Sequence, residues 1–203
     1  MRWSRLLLRL KTQDGIEFGW VADNFVSRDI CKRLILLGKP TLEPSSTLEP
    51  VQENFRTSSN TFLYYNNGME TVDKVFSTVT DIIKVPLQNC EGMQLVHYKS
   101  GEFYKPHHDY FYPWMDYYKE EARCGGQRTW TAFLYLNDVK EGGETNFPNI
   151  NIQVKPLAGR VVFWRNSIDG NLIEDSFHEA KPPIDCEKWG ANIWVREKKF
   201  IYV

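Results

Sequence analysis

Apolar positions along this chain change their period near residue 90, from a helical spacing to the short runs of strands. Residues 16–26 read as an opening strand. Ser27 is placed to cap a helix over 28–37 that Gly38-Lys39-Pro40 ends. Asn66-Asn67-Gly68 signals a turn, and behind it Val72, Val75, Phe76, Val79, Ile82 and Ile83 form one stripe within 69–85. That spacing predicts a core-facing helix, stopped by Pro86. Residues 40–54, with Pro40, Pro44, Pro50 and clustered Ser and Thr, read as a loop free to move. Beyond residue 90, segments 94–98, 129–136, 160–164 and 191–195 are short and rich in β-branched and aromatic residues. Turn chemistry separates them at Ser100-Gly101, Gly142-Gly143, Ala158-Gly159 and Asp169-Gly170. The pattern predicts an α+β protein, mainly β: a sandwich or barrel with the N-terminal helices packed outside it.

A length of 203 residues fits a single domain, with 1–90 as a strand and helix support region and 91–203 as the β core. A net charge of −1 gives no basic field for nucleic acid. The apolar run at Leu6-Leu7-Leu8 is broken by Arg9 and is too short for a secretory leader or a membrane span. The expectation is a soluble, cytoplasmic protein that contacts no membrane. Cys31, Cys90, Cys124 and Cys186 show no zinc spacing and read as free thiols, although Cys90 and Cys124 could pair in an oxidising compartment.

The candidate chemistry centres on His107, Asp109 and His178. A strand sends alternate side chains to opposite faces, so an extended 107–109 projects His107 and Asp109 together and turns His108 away. His178 is the only histidine downstream, while His97 has no carboxylate two residues on. Two imidazoles and one carboxylate make the facial triad of non-haem Fe(II) oxygenases, which leaves one side of the metal open. An isolated His-x-Asp arises often by chance, so the surrounding residues decide its weight.

Those residues resemble the prolyl 4-hydroxylase family of Fe(II)/2-oxoglutarate oxygenases. Gln94, Tyr98, Gly101, Tyr104, His107, Asp109, Tyr110 and Phe111 are similar to the family's Q-x-x-x-Y-x-x-G-x-x-Y-x-x-H-x-D-Y-F signature. Gly126-Gln127-Arg128-Thr129 and Glu141-Gly142-Gly143-Glu144-Thr145-Asn146-Phe147-Pro148 resemble its central strand and its E-G-G-E-T-x-F-P loop. His178, Pro182, Lys188, Trp189 and Trp194 match its closing motif, and Arg56-Thr57-Ser58-Ser59 its R-T-S-S segment. The resemblance spans roughly 20–200. Cys186 stands where the family usually has glycine, Lys181 where a small residue or cysteine is common, and His108 where an aromatic is usual.

The resemblance implies a double-stranded β-helix, or jelly roll, with Fe(II) held by His107, Asp109 and His178. It implies 2-oxoglutarate as cosubstrate, its far carboxylate on Lys188 with the hydroxyls of Tyr98 and Thr145 beside it. O2 is then the oxidant, ascorbate the reductant, and succinate and CO2 the by-products. The substrate implied is peptidyl proline, hydroxylated at C4, with Tyr104, Arg128 and Trp194 as wall candidates and Arg196 at the rim. The aromatic connection 110–126 and the loop 40–60 are expected to order over a proline-rich peptide. A monomer or weak homodimer is expected. Two other readings stand beside this one. One is an oxygenase acting on free proline, another small molecule or peptidyl lysine. The other is a β-helix binding module without catalysis, which would be expected to have lost a ligand or the lysine.

Overall fold

The computed structural model describes residues 6–46 and 55–201. A hairpin of β1 (Leu6–Lys11) and β2 (Glu17–Ala22) leads into α1 (Arg28–Gly38), followed by β3 (Glu43–Pro44), β4 (Ser59–Leu63) and α2 (Glu70–Ile83). Then come β5 (Met93–Tyr98), β6 (Tyr104–His107), α3 (Tyr118–Arg123), β7 (Arg128–Tyr135), β8 (Thr145–Phe147), β9 (Ile152–Val154) and β10 (Val161–Arg165). The chain closes with β11 (Ser167–Ile168), β12 (Asn171–Leu172), β13 (His178–Ala180) and β14 (Lys188–Arg196). An eight-stranded sheet runs β1-β2-β10-β7-β14-β5-β4-β3 and faces a four-stranded sheet, β6-β13-β8-β9. The pairings between these described strands are all antiparallel, as a jelly roll requires.

The two faces of the large sheet bury different partners. Toward the small sheet, Val96, Tyr98, Tyr135, Val162 and Trp164 pack with Phe147 and Val154. On the opposite face Leu95, Ala191, Ile193 and Phe163 meet Leu34 of α1 and the Val72, Val75, Phe76 and Val79 stripe of α2. Alternation along β5 and β14 is therefore doubly apolar, as expected of strands covered on both sides. Ser27 caps α1 by accepting from the Ile30 N–H at 3.3 Å. Lys84 ends α2 in a left-handed conformation, with φ 56°, ahead of Pro86.

Three boundaries differ from the sequence reading. The opening strand is a hairpin: Asn24 turns left-handed at φ 54°, so β2 stops short of 26, and the Leu6–Leu10 run supplies its partner. The connection 110–126 contains the short helix α3. Of the loop 40–54, residues 47–54 lie outside the described residues, while Glu43–Pro44 pairs with β4. No described helix is long and apolar enough to cross a membrane. The four cysteines are free thiols, and burial pushes Cys31 up to about 11 and Cys90 up to about 12.

Residues 141–144 lie backbone to backbone on 181–184. Gly143 N–H donates to the Pro182 carbonyl at 3.0 Å, and Lys181 N–H to that of Glu144 at 2.9 Å. Gly142 sits at φ +72°, where a Cβ would come within 2.2 Å of the Pro182 carbonyl oxygen. A Gly142→Ala substitution should lower unfolding free energy by roughly 2–4 kcal/mol, from left-handed strain plus the clash. Urea denaturation checks this; an unchanged midpoint would show that the loop yields freely.

Candidate active site

His107 and His178 are direct cross-strand partners in the β6–β13 pair, with ring centroids 4.4 Å apart. The Nδ1 of each lies 2.8 Å from the main-chain carbonyl two residues upstream, that of Lys105 and that of Ser176. A carbonyl only accepts, so both Nδ1 atoms carry the proton and both Nε2 atoms offer lone pairs. Asp109 completes the group: its carboxylate oxygens stand 3.8 Å from each Nε2. One ligand atom from each of the three lies within 4.8 Å of the others. Asp109 reaches this place by a route different from the one its sequence suggests. β6 ends at His107, and Asp109 follows in a bend, held by the Thr131 hydroxyl, which donates to Oδ2 at 2.7 Å.

The electrostatics suit a divalent cation. Burial, reinforced by His178, pushes the His107 imidazole down to about 3, so it stays neutral. Burial alone would raise Asp109, but the two imidazoles, Arg128 and the Thr131 bond hold it below the usual carboxylate range. Two Nε2 lone pairs and one carboxylate, with His107 half-buried and Asp109 and His178 buried, are a donor set that fits Fe(II). His108 points elsewhere: its Nδ1 meets the Tyr112 hydroxyl at 2.7 Å and its Nε2 the Glu174 carbonyl at 3.1 Å.

The same cavity, of about 500 Å³, extends from the triad to Lys188. Lys188 opens β14 opposite Tyr98 and is 0% exposed. Its Nζ has no hydrogen-bond partner among the described residues and sits 5.1, 5.2 and 5.6 Å from the rings of Tyr98, Phe133 and Tyr135. Aromatic faces soften the loss of water without replacing it. Burial drives the ammonium down to about 7, against the pull of Glu144. Thr145 lines the same cavity and accepts at 2.6 Å from the Tyr135 hydroxyl, which leaves its own proton to give. A buried cation short of acceptors, in a cavity that Tyr98 and Thr145 also line, suits an anionic group.

Of the four residues expected at the substrate wall, the cavity is lined by Tyr104, Arg128 and Trp194. Tyr104 stacks on His107 at 3.6 Å, and the Arg128 guanidinium lies 3.8 Å over the Trp194 ring. Arg196 is not at the rim: it is 2% exposed and pairs with Glu91 at 2.6 Å and with Glu121 of α3. Glu91 also takes both arms of Arg128, at 2.7 and 2.8 Å. Burial opposes the Glu91 charge, yet the two guanidinium groups hold its carboxyl below the usual range. Glu91 and Thr131 escaped the sequence reading, and Gln127 entered it only as part of a motif with no role, since their importance lies in partners distant along the chain. Gln127 ties the base of the 110–126 connection, accepting from the Phe111 N–H at 2.7 Å and donating to its carbonyl at 2.8 Å.

Residues 93–196 match the 2OG-Fe(II) oxygenase superfamily. Probable prolyl 4-hydroxylase 10 of Arabidopsis thaliana is 34% identical over 205 residues, covering 89% of this chain and 69% of the plant protein. A putative prolyl 4-hydroxylase of Acanthamoeba polyphaga mimivirus is 32% identical, covering 89% of this chain and 75% of its own. Among solved structures, the viral collagen prolyl hydroxylase of Paramecium Bursaria Chlorella virus-1, in its 2OG complex, superposes with a TM-score of 0.72. It is 25% identical and covers 88% of this chain and 96% of its own.

Lys188→Met should raise the stability of the ligand-free protein by about 1–4 kcal/mol, because an apolar chain of similar length replaces a buried ammonium. The wild-type cost is full below pH 7, where folded and unfolded chains both carry the proton. It is relieved between about 7 and 10.5, where only the unfolded chain holds it, so this group's contribution to stability rises with pH across that window. Thermal melts from pH 6 to 9 check both points; equal melts for the two proteins would show that Lys188 is solvated.

Proposed function

This chain belongs to the prolyl 4-hydroxylases of the 2OG-Fe(II) oxygenase superfamily, and we propose that it hydroxylates peptidyl proline at C4. The reaction consumes O2 and 2-oxoglutarate and releases succinate and CO2. The observation that carries this reading is the Lys188 Nζ, without a hydrogen-bond partner among the described residues, in the cavity that His107, Asp109 and His178 share. A metal site alone would suit many reactions. A metal site with a buried ammonium in the same cavity suits an anionic cosubstrate that reaches both.

In this reading His107, Asp109 and His178 hold Fe(II), and residues 1–203 act as one catalytic domain. Iron held by these three residues would supply the redox chemistry by which O2 and 2-oxoglutarate are used for hydroxylation. Lys188 neutralises the far carboxylate, with the Thr145 and Tyr98 hydroxyls completing its hydrogen bonds. That carboxylate in turn ends the desolvation cost of the ammonium. Tyr104 and Trp194 offer apolar faces to a proline ring, which has no amide proton to satisfy. Arg128, its charge balanced by Glu91, stays available at the cavity wall for peptide carbonyls. Arg196 serves as a brace for α3. Ascorbate is the reductant proposed to keep iron ferrous between turnovers.

The test offers proline-containing peptide pools and free proline with Fe(II), 2-oxoglutarate, O2 and ascorbate, and scores gain of one oxygen by mass. Peptides should be hydroxylated with matching succinate release, and His178→Ala should fall to background. Turnover of free proline alone would move the enzyme to the small-molecule class. A pH series adds a second check. The charged form of Lys188 binds the carboxylate, so the KM for 2-oxoglutarate should rise above pH 7, by at most about tenfold per pH unit. A flat KM from pH 6.5 to 8.5 would remove Lys188 from that role.

A further inference from the structure

Asp109 lies past the end of β6, so strand pairing does not fix its side chain. What fixes it comes from the large sheet. The Thr131 hydroxyl on β7 donates to Asp109 Oδ2 at 2.7 Å, and the Asn166 side-chain amide donates to Thr131 Oγ1 at 2.9 Å. The direction of this chain is forced. A carboxylate only accepts and an amide nitrogen only donates, so the single hydroxyl proton points at Asp109. Thr131 and Asn166 are both 0% exposed, which keeps water from competing for either bond.

Asn166 is itself held by main chain. Its N–H donates to the Thr129 carbonyl at 2.9 Å, and its own carbonyl accepts from the Ile173 N–H at 3.0 Å. Its Oδ1 has no hydrogen-bond partner among the described residues. An apolar residue here would avoid that cost, and valine would fill the Thr131 site with the same branching. Polar groups in both places are therefore a stability burden that folding alone does not call for.

We propose that Thr131 and Asn166 are positioning residues for the metal. Together they fix the Asp109 carboxylate where it meets His107 and His178, and so set how tightly a divalent ion is held. The proposal rests on the reading of that triad as an iron site. Partners of this kind behind a ligand typically change metal affinity 10- to 100-fold when removed.

The test titrates metal-free protein with Mn(II), and with Fe(II) under anaerobic conditions, and compares thermal melts of the same metal-free samples. Thr131→Val keeps the side-chain shape; it should weaken metal binding about 10- to 100-fold, and its melt should fall modestly because Asp109 and the Asn166 amide each lose a buried partner. Thr131→Ser, which restores the hydroxyl, should recover most of the affinity. Asn166→Leu should give a smaller loss, since the hydroxyl keeps its bond but gains freedom to rotate. If Asn166→Leu does not fold, the two Thr131 variants decide the matter. Wild-type affinity in Thr131→Val, or a serine variant as weak as the valine one, overturns the relay. Failure of the wild-type protein to bind either ion overturns the iron reading instead.

Discussion

The pairing of β6 with β13 is the contact on which the site depends. Facing residues of an antiparallel pair bring their Cβ atoms to about 5 Å, which is the scale of a metal shared between two side chains. His107 and His178 face each other in that pair, although a long stretch of chain separates them. β13 is only three residues long and cannot hold its place alone. It is flanked by β6 and β8, and β8 sends Phe147 into the core beneath, against Trp164 and Phe18. The rigidity of the imidazole pair is thus borrowed from the packing between the two sheets, and each Nδ1 bond to a local carbonyl then fixes the ring that packing has placed.

Lys188 illustrates the opposite case, a group held where it is uncomfortable. Its neighbours on β14 are among the most deeply buried in the protein, so the strand carries the ammonium into the core with it. Hydrogen bonds that would normally accompany a buried charge are missing among the described residues. The cavity therefore has a cationic end and an end where three ligand atoms that could hold a metal converge, each incomplete by itself. A ligand that is anionic at one end and chelating at the other relieves both at once. Such relief turns a cost in the free protein into affinity and into discrimination against ligands with one carboxylate.

Much of this was legible in the sequence, for identifiable reasons. α2 could be read because its apolar stripe at Val72, Val75, Phe76 and Val79 has a helical period that its burial confirms. β5, β7 and β14 could be read because runs rich in β-branched and aromatic residues suit strands covered on both faces. The short strands of the small sheet could not: β8, β9 and β13 have three residues each, too few for a period to show. His107 and Asp109 were paired on the premise of a shared strand. They do converge, but through a bend and a hydrogen bond from Thr131, so the residue pattern was a better guide than the geometry first attached to it. Arg196 was misplaced at the rim because nothing local announces Glu91 and Glu121 as its partners.

Those partners decide how the aromatic connection 110–126 behaves. Gln127 fastens its two ends through Phe111, and Arg196 holds both the Gly126 carbonyl, at 2.6 Å, and Glu121 on α3. The charges balance, two carboxylates against two guanidinium groups, so the buried network is neutral overall, while Arg128 still acts on Asp109 in the cavity beside it. Breaking one member would strand its partner in a buried site, which is far more costly than the intact network is stabilising. The base of the connection is consequently fixed. Its tip differs: Trp114 is 74% exposed and stacks only at an angle on Tyr112, 4.9 Å away. Arg128, the other arm of the same network, is held by Glu91 in the cavity that His107, Asp109 and His178 line, and the exposed aromatic tip lies outside that network.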